Sequence, residues 1–211
     1  MCIILYKPII TELPDIQTLE TCYNNNHHGA GFMYQYNNKV HIQKGFMTFE
    51  SLILALDQLR QKIDITEVPL VVHFRLASHG KINQSNCHPF PITKNINQLK
   101  SKSCITDIAM VHNGIIPFTS YNRNTSDTII FTRDYLTEIK DSLFNPVITE
   151  LILHSTKSKF IIMSGDNIQL IGDFIHDEID NCYYSNDGYI DYYYRYEEEK
   201  EEEYNFKLYQ V

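Results

Sequence analysis

The chain predicts an α+β domain in which antiparallel sheets are layered with helices. Short β-branched and aromatic runs are joined by turns of hairpin length. Helices are expected in only three stretches. No strand–helix–strand alternation, the mark of a parallel sheet, runs through the 211 residues. At 43% hydrophobic residues, a core for one sizeable domain is easily supplied.

Taken in order, "CIILY" is a buried strand stopped by Lys7-Pro8. "GFMYQYNNKVHIQKG" is a hairpin, turned by Asn37-Asn38, residues that tolerate positive φ. Thr48 caps a helix whose apolar positions are Phe49, Leu52, Ile53, Leu56, Leu59 and Ile63. "PLVVHFRLA" is a strand with Pro69 at its entry, and Lys81 to Lys102 is polar, turn-rich and expected as a long loop. "DIAMVHNG" is a strand ending in Asn-Gly. Ser126 and Asp127 start a helix through about Leu143, and a second helix covers Val147 to His154. "KFIIMSGDNIQLIG" is a hairpin around Gly165-Asp166, and "NCYYSN" and "YIDYYYRY" are late strands.

No repeat or interior linker divides the chain, so one domain over 1–195 and an acidic C-terminal segment over 196–211 is the simplest partition. The segment's "RYEEEKEEEYN" reads as solvated. Net charge is -8, which disfavours nucleic acid as a partner. No apolar stretch suffices for a membrane span, and the N-terminus lacks a basic n-region and cleavage site. Five cysteines at irregular spacing (2, 22, 87, 104, 182) argue against a disulfide scaffold and for a reducing, cytoplasmic setting. The wealth of Asn, Ile and Tyr suits a phage or another AT-rich source.

Four stretches concentrate reactive groups at strand ends: Cys2, "NNNHHGAGF", "HFRLASHG" with "NCHPF", and "VHNG". They hold His27, His28, His73, His79, His88 and His112, six of the nine histidines, yet no pair has zinc-motif spacing, so no metal and no cofactor is expected. Nucleophilic catalysis by Cys2 is the other chemistry these groups allow. A free thiol has a pKa near ~8.5 and needs a base, and an N-terminal amine of pKa about 8 suits the adjacent side chain. Removing Met1 places both groups on Cys2. Without the other stretches, Cys2 is an ordinary small apolar residue in a core strand.

In order along the chain, "MCI", "HHGAGF", "VVHFRLASHG", "NCHPF", "VHNGII", "SDT" and "YYSN" resemble the motifs of the class II glutamine amidotransferases. The resemblance runs from residue 2 to about 186 and implies the N-terminal-nucleophile hydrolase architecture. That is a four-layer αββα sandwich of two antiparallel sheets flanked by helices. By the same resemblance Cys2 is the nucleophile, its freed amine the base, and Asn113 and Gly114 the oxyanion hole. Arg75 clamps the substrate α-carboxylate and Asp127 binds its α-ammonium. His28, Gly29, Ser78 and His79 line the substrate pocket, with Gly31 in the same loop. His73, His88 and His112 are structural. Two departures bear on which amide is accepted: His28-Gly29 stands where the family has Arg-Gly or Asp-Gly, and Leu76 where it has an aromatic residue.

The expected function is hydrolysis of the side-chain amide of glutamine, or of a γ-glutamyl amide, through a γ-glutamyl thioester. Ammonia or an amine is released, and Met1 removal is the condition. No P-loop or G-x-G-x-x-G follows, so a separate ammonia-accepting enzyme is the partner such a domain implies. The alternative is a catalytically silent interaction module on the same fold, with the acidic segment engaging a basic protein. A retained Met1, which blocks the amine, favours that alternative.

Overall fold

The structure, a computed structural model, describes residues 1–117, 119 and 124–191. The acidic segment 196–211 and most of "YIDYYYRY" lie outside the described residues. Within them the protein is a mixed α+β fold of two antiparallel sheets and five α-helices.

In chain order the elements are β1 (Ile3–Lys7), α1 (Ile16–Asn25), β2 (Ala30–Tyr36), β3 (Lys39–Phe46), α2 (Phe49–Arg60), β4 (Leu70–Phe74), β5 (Phe90–Pro91) and α3 (Ile96–Lys100). They continue with β6 (Ser103–Thr106), β7 (Ile108–Asn113), α4 (Asp127–Phe131), α5 (Pro146–Thr156), β8 (Lys159–Ser164), β9 (Ile168–Ile171), β10 (Ile175–His176) and β11 (Tyr183–Tyr184). One sheet has the order β10-β11-β1-β4-β2-β3-β6 and the other β5-β7-β8-β9.

Why the strands read as continuous apolar runs follows from their surroundings. A strand's side chains alternate between faces, and here both faces of the central strands are covered. Ile3 and Leu5 of β1, Phe32 of β2 and Val72 and Phe74 of β4 pack with Leu19 and Cys22 of α1 and Leu52, Leu56 and Leu59 of α2. Their alternating neighbours Ile4, Met33 and Val71 turn the other way. They meet Ala109 and Val111 of β7 and Ile161 and Met163 of β8, so the two sheets share one apolar seam. Met110, Phe160 and Ile162, on the far face of the second sheet, pack with Leu99, Ile129, Phe131 and Ile152 from α3, α4 and α5.

The predicted caps are present. Thr48 Oγ1 accepts from Ser51 N–H at the start of α2, and Ser126 Oγ from Ile129 N–H at the start of α4. The β2–β3 turn has Asn37 at φ 51° and Asn38 at φ 57°, the positive pair that a two-residue hairpin demands.

Two expectations are corrected. The stretch 81–102 is not one loop. It holds a 3₁₀ turn at Gln84–Asn86, the short strand β5 and the helix α3, which Asn95 caps through Asn97 N–H and Gln98 N–H. The single helix expected from Ser126 to Leu143 ends as α4 and passes into a π-helical turn over Thr132–Leu136. Threonine hydroxyls compete with the regular ladder there. Thr132 Oγ1 donates to Thr128 O and Thr137 Oγ1 to Thr132 O, both at 2.8 Å. Thr137 N–H reaches five residues back to Thr132 O at 3.1 Å.

Candidate active site

Strand register brings the first group of residues together. Ile3 pairs with Phe74 and Phe74 with Ala30, so Cys2, Arg75 and Gly29 follow one another across the same end of β1, β4 and β2. Arg75 N–H donates to Gly29 O at 2.9 Å and His28 N–H to Arg75 O at 3.0 Å. Gly29 sits at φ 106°, and a Cβ there would stand 2.6 Å from Cys87 Sγ, so no side chain fits.

The Cys2 thiol is held by backbone two residues past the end of β4. Leu76 N–H donates to Sγ at 3.3 Å, and Sγ faces Leu76 O at 3.5 Å. Burial pushes the thiol pKa up. The Leu76 N–H, Arg75 and the N-terminal ammonium pull it down, while Asp127 adds to the rise. A thiol in this setting stays protonated until a base removes its proton. Met1 is exposed, and the Cys2 carbonyl accepts from Asn186 Nδ2 at 2.7 Å.

The loop after β4 wraps around Arg75. Its guanidinium is buried and donates to Lys81 O at 3.1 Å and His79 O at 2.9 Å. His79 therefore reaches this group through its backbone oxygen. Ser78 is exposed, and its hydroxyl meets His79 Nδ1 at 3.4 Å. His28 acts on the same loop: its Nδ1 accepts from Ala77 N–H at 2.9 Å, which requires an unprotonated Nδ1. Burial first, then His27 and Arg75, depress the His28 pKa, so the acceptor form is the favoured one.

The second sheet contributes Asn113, the last residue of β7. Its Nδ2 donates to Ser185 Oγ at 2.9 Å, and Oδ1 is buried with no hydrogen-bond partner among the described residues. Gly114 follows at φ 149°, where a Cβ would lie 2.2 Å from Ser158 Oγ and 2.6 Å from Ser158 Cβ. Only glycine lets that turn close on Ser158. Asp127 opens α4 and is buried. Its Oδ2 accepts from Ile116 N–H at 3.0 Å, and its Oδ1 from Thr128 N–H at 2.8 Å and Thr128 Oγ1 at 3.4 Å. Three donors leave lone-pair capacity on a carboxylate that accepts about four hydrogen bonds. Cys2, Arg75 and His112 all feel the Asp127 charge.

Beneath the site three buried histidines bridge the sheets. His73 Nε2 meets His112 O at 3.0 Å, and His112 Nδ1 meets Thr128 Oγ1 at 3.0 Å. The His73 and His88 rings stack at 4.0 Å between centroids. Burial holds all three neutral, with His73 lowered to about 3, His112 to about 4 and His88 well below its usual value. Among the described residues no group of three or more His, Cys, Asp or Glu could hold a metal ion.

The structure thus gathers Cys2, Arg75, Gly29, His28 and the 76–81 loop at one sheet end, and links Asn113 to them through Ser185. It also adds groups for which the sequence reading assigned no role. Leu76 acts through backbone that no side chain advertises. Ser185 and Asn186 were visible only as the "YYSN" resemblance, and Ser158 carried no signal at all.

No protein-family model matches the chain, and no curated protein matches it. Among solved structures it matches an allosteric regulatory enzyme of purine biosynthesis at 16% identity with a TM-score of 0.46. Another match is the glutamine phosphoribosylpyrophosphate amidotransferase from B. subtilis complexed with ADP and GMP, at 14% identity with a TM-score of 0.42. Each match covers 87% of this chain but 41% of the other, so the chain spans less than half the length of those proteins.

Proposed function

We propose that this chain is an N-terminal-cysteine amidohydrolase, of the glutamine amidotransferase type, acting on the side-chain amide of glutamine or of a γ-glutamyl compound. The proposed scaffold is a four-layer αββα sandwich, a reading supported by the three separate apolar clusters on and between the sheets. The observation that carries the function is the surrounding of Cys2 Sγ: a backbone donor from Leu76, a buried guanidinium and a buried carboxylate within electrostatic reach, and a strand tied to Asn113.

Chemistry follows from these groups in sequence. Loss of Met1 frees the Cys2 amine, which takes the thiol proton that burial otherwise retains. The thiolate attacks the amide carbon, and the carbonyl oxygen becomes an oxyanion that Asn113 Nδ2–H and Gly114 N–H stabilise. The amine returns its proton to the leaving nitrogen, ammonia or an amine departs, and a γ-glutamyl thioester remains. Water, activated by the same amine, hydrolyses it to glutamate. Arg75 receives the α-carboxylate. A guanidinium has five N–H donors and the loop carbonyls use two, so donors remain for a bidentate contact. Asp127 receives the α-ammonium, and His28, Gly29, Ser78 and His79 shape the pocket around it. The released ammonia passes to a separate acceptor enzyme.

Incubation with glutamine and with an electrophilic glutamine analogue, followed by intact-mass and peptide mapping, tests this reading. The expected result is a protein lacking Met1 that carries the label on Cys2 and releases ammonia, with Cys2→Ala inactive. A protein that keeps Met1, takes no label and binds glutamine no differently from its Cys2→Ala variant sinks the enzyme reading in favour of a silent module.

A further inference from the structure

Directly after β11, Ser185 is 1% exposed and makes contacts that no local role requires. Its Oγ accepts from Ile4 N–H at 2.9 Å and from Asn113 Nδ2 at 2.9 Å. Its backbone N–H donates to Ile4 O at 2.9 Å, and its carbonyl accepts from Lys159 Nζ at 2.6 Å. The next residue, Asn186, donates from Nδ2 to Cys2 O at 2.7 Å, and its own Oδ1 accepts from Gly188 N–H at 3.0 Å. These two residues thus grip the nucleophile's strand in one sheet and Asn113 in the other. They lie 181 residues from Ile4 and 184 from Cys2 in sequence.

We propose that Ser185 is a positioning residue that sets the orientation of the Asn113 amide relative to the Cys2 strand. This rests on the amidohydrolase reading for its catalytic consequence. The terminal torsion of an Asn side chain is soft and roughly two-fold, so its own rotamer preference does not decide which end of the amide points where. A hydrogen-bond partner decides it. Ile4 N–H is an obligate donor and occupies one lone pair of Ser185 Oγ. The remaining lone pair takes one N–H of Asn113 at 2.9 Å, with Asn186 Nδ2 farther off at 3.5 Å. The second N–H of the same nitrogen is left for an oxyanion, while Oδ1 has no competing donor among the described residues to turn the amide around. Ser185 therefore holds the nitrogen of Asn113 in a fixed place relative to Ile4, two residues from the nucleophile.

A donor that matters only to the oxyanion acts on the transition state and not on substrate binding. Ser185→Ala is expected to lower kcat by about 10- to 100-fold, less than outright loss of an oxyanion donor, with KM within about 2-fold. The rate is counted per site labelled by the electrophilic glutamine analogue, which removes any misfolded fraction. Ser185→Thr, which keeps the hydroxyl, is expected to restore most of the loss. On an Asn113→Ala background, Ser185→Ala is expected to cost little more. A second readout needs no activity: the Asn113 side-chain NH₂ resonance, identified by its absence in Asn113→Ala. It is expected to be protected from hydrogen exchange in the unsubstituted protein and in Ser185→Thr, and unprotected in Ser185→Ala. An unchanged rate per labelled site, or a loss that multiplies fully with that of Asn113→Ala, overturns the positioning role. Equal exchange in the unsubstituted protein and Ser185→Ala also overturns it. An unsubstituted protein that neither labels nor releases ammonia sinks the amidohydrolase reading instead, and the exchange measurement then decides the placement of Asn113 by itself.

Discussion

Arg75 shows how far a single residue's chemistry can be pushed. Its side chain is buried, and burial lowers its pKa, yet two loop carbonyls and the Asp127 carboxylate keep the charge supported. A lysine presents a point charge and cannot span both carbonyls and a carboxylate in one plane. Arg75→Lys is therefore expected to raise KM for glutamine by about 10- to 100-fold, through lost bidentate binding and a loosened 76–81 loop, with a smaller change in kcat. Steady-state ammonia release measures both constants, and an unchanged KM argues against Arg75 as the carboxylate clamp. The resemblance carried by "VVHFRLASHG" made this position legible, and a guanidinium fork is the side chain that suits a carboxylate. The identity of Leu76 pointed nowhere, since its contribution is a backbone N–H.

At the level of elements, turns and caps carry their own instructions. Asn37 and Asn38 both take positive φ, a conformation that costs most L-residues about 1 kcal/mol or more and that Asn tolerates. Asn38→Ala is expected to lose about 1 kcal/mol, a drop of roughly 2–4 °C in Tm for a chain of this size, and to leave ammonia release unaltered. Asn38→Gly is expected to match or exceed the unsubstituted protein in the same melt, and a stable Asn38→Ala variant counts against the hairpin geometry. The hairpin, α2 and α5 were readable because their signals are local. The helix α3 was not. Five residues with only Leu99 buried make too short a pattern, and packing of Leu99 with the second sheet's apolar cluster supplies the rest. The π-helical turn after α4 was equally hidden, because Thr132 and Thr137 read as ordinary helical residues until their hydroxyls are seen on backbone carbonyls.

Across the whole molecule the two sheets are joined by a polar seam as well as an apolar one, and that seam makes stability depend on pH. His73, His88 and His112 have folded pKa values below the ordinary 6.5 because burial disfavours their charged forms. Above pH 6.5 they are neutral in folded and unfolded chains alike. Below it the unfolded chain takes up protons that the folded one refuses, so stability falls as pH falls. The expected loss is up to about 1.4 kcal/mol per pH unit for each histidine between roughly pH 6.5 and 5, above the range where carboxylates dominate. Urea denaturation across that window measures it. His88→Phe removes two buried ring nitrogens that have no partners among the described residues, and the new ring faces His73 and Phe90. This variant is expected to be at least as stable at pH 7 and to show a shallower acid slope. An unaltered slope rules His88 out as a contributor.

By itself the sequence determined the main strands as apolar runs, the Thr48 and Ser126 caps, the Asn-Asn turn, and which residues were worth watching: Cys2, Arg75, Asn113, Gly114 and Asp127. The strands, caps and turn rest on neighbours within a few positions, where side-chain spacing and backbone preference act directly, whereas the five site residues were singled out by the resemblance of their motifs. Tertiary structure alone decided that Leu76 holds the thiol and that Ser185 ties Ile4 to Asn113. The partners there are 74, 181 and 72 residues apart. Strand order and register bring them together, and a one-residue slip of β7 would turn the Asn113 side chain to the opposite face.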